Sequence, residues 1–204
     1  MTTVTRVPRG EARARLIEAA RSLVRHRGFA ATSVDDLCRE AGVTKGAFFH
    51  HFPSKEALGV ALIDDWTLTT GAMFAQHPYN ARPDPLDRVF GYLDLRRQIL
   101  GQPIPEFTCV AGATVQEAYE TSAPIREAAE RSVTSGFEHV RPHLAEALAA
   151  HPVPGVTAEG LAQQFQVAVQ GGIILAKALN DPAPAREAFD HLERYLRLLF
   201  GRIG

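Results

Sequence analysis

A chain of 204 residues, 46% of them hydrophobic, has enough apolar content to fill one large or two small cores, and a net charge of −1 makes it neither a polycation nor a polyanion. No apolar run approaches the ~20 residues that a membrane span requires, and Met1 to Gly10 hold no apolar signal region, so a cytoplasmic protein is expected. The two cysteines, Cys38 and Cys109, form neither a metal-binding pair nor a disulfide framework.

The near-zero total hides an asymmetry. Residues 1–60 carry ten Lys/Arg and six Asp/Glu, whereas the remainder carries twelve and seventeen. A basic head on an acidic body is expected where one end meets a polyanion. Residues 1 to 8 read as a tail ending at Pro8, and Arg9 reads either as a contact to a phosphate or an adjacent minor groove or as a solubilising charge. From Arg9 to Arg27 the apolar positions Leu16, Ala19, Ala20, Leu23 and Val24 recur at helical spacing, and Gly28 ends the run. In Thr32 to Leu58, Ser33 and Asp36 have the form of a capping box, and Gly42 permits a sharp turn after a short helix. Thr44 caps a second short helix, Lys45 to about Phe52, too short to stand without packing. Its start displays Thr44, Lys45 and Gly46, the small and cationic surface that a recognition helix brings to a major groove. His50 and His51 close it. Ser54 and Lys55 open the next helix as an anion site, and Thr32 and Ser33 form another on the far side.

Gly28, Phe29, Thr32, Ser33, Val34, Ala41, Gly42, Val43, Thr44, Gly46, His51, Phe52, Lys55 and Leu58 all fall in register with one pattern. The segment resembles the DNA-binding part of the TetR/AcrR family of transcriptional regulators. Phe49 stands where that pattern usually has a tyrosine, which removes one phosphate hydrogen bond. The resemblance implies DNA contacts from Thr32, Ser33, Thr44, Lys45, Gly46, Phe49, His50 and Lys55, and an all-α chain of about nine helices. It divides the chain into a helix-turn-helix domain at 1–53 and a regulatory bundle at 54–204.

Beyond Ser54 a long helix runs to about Gln76. His77 to Pro85 reads as a loop, Leu86 to about Leu100 as a helix, and Phe107 to Tyr119 as a central helix apolar nearly all round. Ser122 to Ala150 reads as one helix kinked at Pro142. Thr157 caps a helix stopped at Asn180 to Pro182, and a last helix carries Phe189, Leu192, Tyr195 and Leu196. The small residues Ala168, Gly171 and Gly172 let another helix come close. By resemblance, these last two helices pair with their copies in a homodimer on a palindromic operator.

A small apolar or aromatic effector is expected to sit in the body, lined by Trp66, Met73, Phe74, Phe90, Phe107, Cys109, Phe137 and Phe165, with Gln116, Glu117, His139 and Gln170 as polar candidates. The pattern thus predicts a ligand-responsive repressor. The alternative is a thiol-based sensor of electrophiles or oxidants acting through Cys109. Enzymatic chemistry is not expected. His139 and His143 lack the glutamate of a zinc-protease motif, and no phosphate loop or nucleophile elbow is present. No cofactor and no metal are expected.

Overall fold

The computed structural model describes residues 9–202, with side chains from Glu11 onward. The expectations for residues 1–8 and for the Arg9 side chain lie outside the described residues. In chain order the helices are α1 Arg9–Arg27, α2 Val34–Ala41, α3 Lys45–His51, α4 Lys55–Ala75, α5 Pro85–Leu100, α6 Ile104–Phe107, α7 Val110–Ala118, α8 Ala123–Glu138, α9 Arg141–Ala150, α10 Ala158–Leu179 and α11 Ala183–Leu199. No strand occurs among the described residues.

Two departures from expectation enlarge the helix count. The single helix expected over Ser122 to Ala150 is two, α8 and α9, because the backbone breaks at His139 and Val140 and restarts with Pro142 in the first turn of α9, where its missing N–H costs nothing. The helix expected from Phe107 to Tyr119 starts only at Val110, and a separate short helix, α6, ends at Phe107. Thr108 and Cys109 are extended, and the Cys109 thiol caps α7 by accepting the Gly112 N–H at 3.4 Å. The expected loop after His77 contains one turn of 3-10 helix at Pro78–Ala81.

The chain forms two compact units. The first joins the residues up to Leu68 with Cys109–Ser132. In it α1 packs against α2, α3 and α7, and the core holds Leu16, Val24, Leu37, Phe48, Leu58 and Leu62. The seven residues of α3 are anchored by Phe48, whose ring meets Phe49 and Phe52, so tertiary packing supplies what so short a helix lacks. Helix α7 is not the apolar cylinder expected. Val110, Ala111, Thr114 and Ala118 are buried, but Gln116, Glu117 and Tyr119 are exposed.

The second unit comprises Thr69–Thr108 and the residues from Val133 onward. Helix α5 packs on α9 and α11, and α10 lies along α11 and α9. Tyr79, Tyr92, Leu93, Phe165 and Phe189 fill the interior. Gly172 allows the close crossing of α10 and α11, since a Cβ there would stand 3.0 Å from the Ala185 Cα. Gly171 is different, because a Cβ there would meet nothing within 4 Å.

Candidate nucleic-acid interface

The turn between α2 and α3 is built by local chemistry. Ser33 caps α2 by accepting the Asp36 N–H, and the Asp36 carboxylate accepts from the Ser33 backbone and hydroxyl. Those hydrogen bonds, with Arg39 and Arg27 nearby, hold Asp36 well below the usual carboxylate range. Gly42 then takes φ 65°, a left-handed conformation that a side chain would resist, and the Val43 N–H reaches back to the Cys38 carbonyl at 2.9 Å. Thr44 starts α3 by accepting the Ala47 N–H at 3.1 Å.

The exposed surface of this motif is the start and outer side of α3. Thr44, Lys45, Gly46, Phe49 and His50 are all exposed, Phe49 by 50%. Lys45 pairs with Asp35 at 2.9 Å, but both side chains are more than half exposed, and such a pair is worth little and opens readily to a phosphate. A Cβ at Gly46 would find only the Thr44 hydroxyl, at 3.8 Å. The fold therefore has no steric need of glycine at position 46, which leaves room for close approach of another molecule to the backbone.

Two residues expected as phosphate contacts are committed elsewhere. Thr32 is 1% exposed and its hydroxyl donates to the Gly28 carbonyl at 2.8 Å. The Lys55 ammonium donates to the carbonyls of Phe29, Ala30 and Thr32 at 2.9, 3.3 and 2.9 Å, and stands 4.5 Å from the centre of the Phe29 ring. Burial lowers its pKa, with Glu117 acting in the opposite direction. Three acceptors use all three ammonium protons. Lys55 is a clamp on the α1–α2 loop rather than a free cation. Ser33 remains exposed although its hydroxyl is engaged in the cap.

The same loop is gripped from its other side. Glu117 of α7 accepts the Ala30 N–H at 2.5 Å and the Phe29 N–H at 3.3 Å, and its carboxylate fills the place where a Gly28 side chain would stand. Gly28 has φ 92°. Sequence reasoning offered Glu117 as a ligand-orienting residue and missed this role, since nothing local marks a contact across some ninety positions.

Residues 16–62 match the bacterial regulatory proteins of the tetR family, and residues 85–191 match the C-terminal domain described as transcriptional regulator LmrA/YxaF-like. The chain belongs to the TetR family. The transcriptional regulator EthR of Mycolicibacterium smegmatis is 41% identical over 75 residues, covering 31% of this chain and 35% of that protein. TtgR of Pseudomonas putida is 34% identical over 96 residues, covering 47% and 42%. The alignments thus span about a third of EthR and less than half of TtgR. A TetR regulator of known structure from Chloroflexus aurantiacus aligns with a TM-score of 0.78 at 26% identity, over 92% of this chain and 95% of that one.

The residues expected to line an effector site in this TetR-family chain are divided between its units. Trp66, Cys109, Gln116 and Glu117 belong to the first, and the others to the second. Trp66 lies under the Arg25 guanidinium, 5.4 Å from its ring centre. Gln116 is exposed and folds back onto the Gly112 carbonyl at 2.9 Å, which does not suit the ligand-orienting role expected of it. Phe74, Phe90, Phe107 and Phe165 are buried in the second unit, Phe137 is half-buried, and Met73 is 40% exposed. Gln170 carries a buried amide nitrogen with no hydrogen-bond partner. None of the twelve candidates lines the groove of about 540 Å³ that opens between α10 and α11 beside Thr157, Leu161, His191 and Tyr195. Among the described residues, no cluster of three metal-ligating side chains occurs and no helix is long and apolar enough to cross a membrane.

Proposed function

We propose that this protein is a ligand-responsive transcriptional repressor that binds a palindromic operator as a homodimer and is released by a small apolar or aromatic effector. The observation that carries this reading is the exposed start of α3, where Thr44, Lys45 and Gly46 stand clear of the fold. Residues 1–53 read DNA and residues 54–204 sense the effector and pair the chains, in the cytoplasm where the operator lies.

Pairing through α10 and α11 is supported by an apolar face with no cover. Val167, Ile174, Leu175 and Leu179 on α10 and Tyr195 and Leu198 on α11 are each exposed by 45% or more. Val167, Gly171, Ile174, Leu175 and Ala178 follow the spacing of one helical stripe. A two-fold dimer would set two recognition helices ~34 Å apart, the repeat of a duplex turn. Binding to the promoter region of its own gene tests the reading, with affinity falling steeply as salt rises. An affinity indifferent to salt and to the Lys45→Ala substitution would sink it.

The placement of Cys109 favours a second reading, thiol-based sensing. Its half-buried thiol caps α7, and the last turn of that helix carries Glu117, the residue that holds the α1–α2 loop. Covalent modification would remove the cap from the helix that grips the head. Cys109→Ser keeps a capping oxygen, so operator release by an alkylating agent should disappear in this variant while its melting temperature stays unchanged. Release that survives the substitution rejects the thiol route.

A further inference from the structure

The second unit contains four half-buried arginines whose surroundings can be compared. Arg88 pairs with Glu146, Arg97 with Asp94, Asp190 and Glu193, and Arg141 with Glu138 and Glu159. Arg96 has no carboxylate partner among the described residues. Its Nε and Nη2 both donate to one neutral acceptor, the Tyr92 phenol oxygen, at 2.9 and 2.6 Å. The guanidinium stands 4.3 Å from the centre of the buried Phe74 ring and 5.1 Å from that of Tyr92. His139 stacks on the same Phe74 ring, with centroids 5.3 Å apart and planes 27° apart. The acids adjoining these residues in sequence are otherwise engaged, Asp94 with Arg97 at 3.2 Å and Glu138 with Arg141 at 2.5 Å.

A guanidinium has five N–H donors. Two are spent on Tyr92, which leaves the Nη1 pair and one Nη2 proton, the fork that binds a carboxylate through two parallel hydrogen bonds. Taking a charge partly out of water without a counter-ion is costly, so a site of this kind favours an anion that supplies one. Arg96 and His139 are each partly open to solvent. The geometry points to a binding site for an aromatic carboxylate, its acid group on the Arg96 fork and its ring continuing the stack that Phe74 and His139 begin. This inference rests on the reading of the body as an effector sensor and names the effector's chemical class.

The test is calorimetric titration of the full chain, without DNA, using 2-naphthoate, 2-naphthamide and inorganic phosphate. The acid should bind at least tenfold more tightly than the amide, and phosphate should not compete at equal concentration. Arg96→Gln should bring the acid-to-amide ratio close to one. Should that variant melt early, Arg96→Lys, which keeps the charge and loses the fork, should still cut the ratio at least threefold. Equal binding of acid and amide, a ratio unchanged in both variants, or phosphate competing as well as naphthoate would each overturn the proposal. Operator binding by a protein that ignores both naphthyl compounds sinks this site alone. Naphthoate binding by a protein with no affinity for its operator sinks the repressor reading and leaves the site standing.

Discussion

Glu117 and Ala30 are joined by a 2.5 Å hydrogen bond from the Ala30 backbone N–H to the Glu117 carboxylate, across 87 positions of sequence. The bond ties the end of α7 to the loop that leads into the helix-turn-helix. Glu117→Ala should free the Phe29 and Ala30 amides. Because the carboxylate is exposed, the loss should stay near 1 kcal/mol, a drop of a few degrees in melting temperature. Faster hydrogen exchange confined to those amides is the signature; unchanged exchange would show that the loop holds itself.

Lys45 and Lys55 should fail differently. Lys45→Ala removes an exposed cation, so the slope of log affinity against log salt should fall by about one and discrimination between operator variants should relax. Lys55→Met leaves three carbonyls without their donor and should destabilise the head by about 1–3 kcal/mol, with the salt slope unchanged where the protein is folded. A reduced slope in Lys55→Met would restore the phosphate role first expected of it.

Gly46→Ala separates folding from binding. Its Cβ would make only an ordinary contact with the Thr44 hydroxyl, at 3.8 Å, and alanine is favoured over glycine in a helix by about 1 kcal/mol, so thermal stability should hold or rise. Operator affinity should nonetheless drop about tenfold, because the methyl group occupies space that the duplex would take. Unaltered affinity would place the DNA elsewhere.

The second unit should weaken in mild acid. Burial, and after it the neighbouring Arg96, hold His139 below the usual imidazole range; burial and Arg88 do the same for His143, while Glu138 and Glu146 oppose the shifts. The unfolded chain therefore takes up these protons first. The stability from the two histidines is whole above an unfolded pKa of about 6.5 and is lost as pH falls through the lower folded values. The melting temperature should fall between pH 7.5 and 5.5, and the double variant His139→Gln, His143→Gln should flatten that fall. Equal pH profiles for the two proteins would assign the effect to other groups.

Leu175→Arg puts a charge into the uncovered face of α10, where the native side chain is 52% exposed. Folding should be unaffected, while sedimentation should change from dimer to monomer at micromolar concentration. A variant that still sediments as a dimer would move the interface to another surface.

The parts most legible in sequence were those set by short-range rules. Ser33, Gly42, Thr44, Thr157 and Asn180 begin or end helices through their own side chains or φ values, and each does so where its residue type indicated. Residues 107–119 were misjudged because hydropathy does not register an extended Thr108–Cys109 step or a polar face on α7. Thr32 and Lys55 are expected from sequence to meet phosphates, whereas in this structure both donate to backbone carbonyls, since a motif records which residue stands at a position and not which way its hydrogen bonds run. Nothing in the sequence singles out Arg96. A Tyr-x-x-x-Arg spacing on one helix face was its only mark, and the missing acid is a fact of three dimensions.

Gly172 lies in a tight crossing within one chain, while its neighbour Gly171 faces outward. The α10–α11 hairpin is therefore locked by its own contacts before any second molecule arrives. Two such hairpins would dock as finished parts, so dilution should separate subunits without melting them, and association should carry little of the heat-capacity change that accompanies coupled folding.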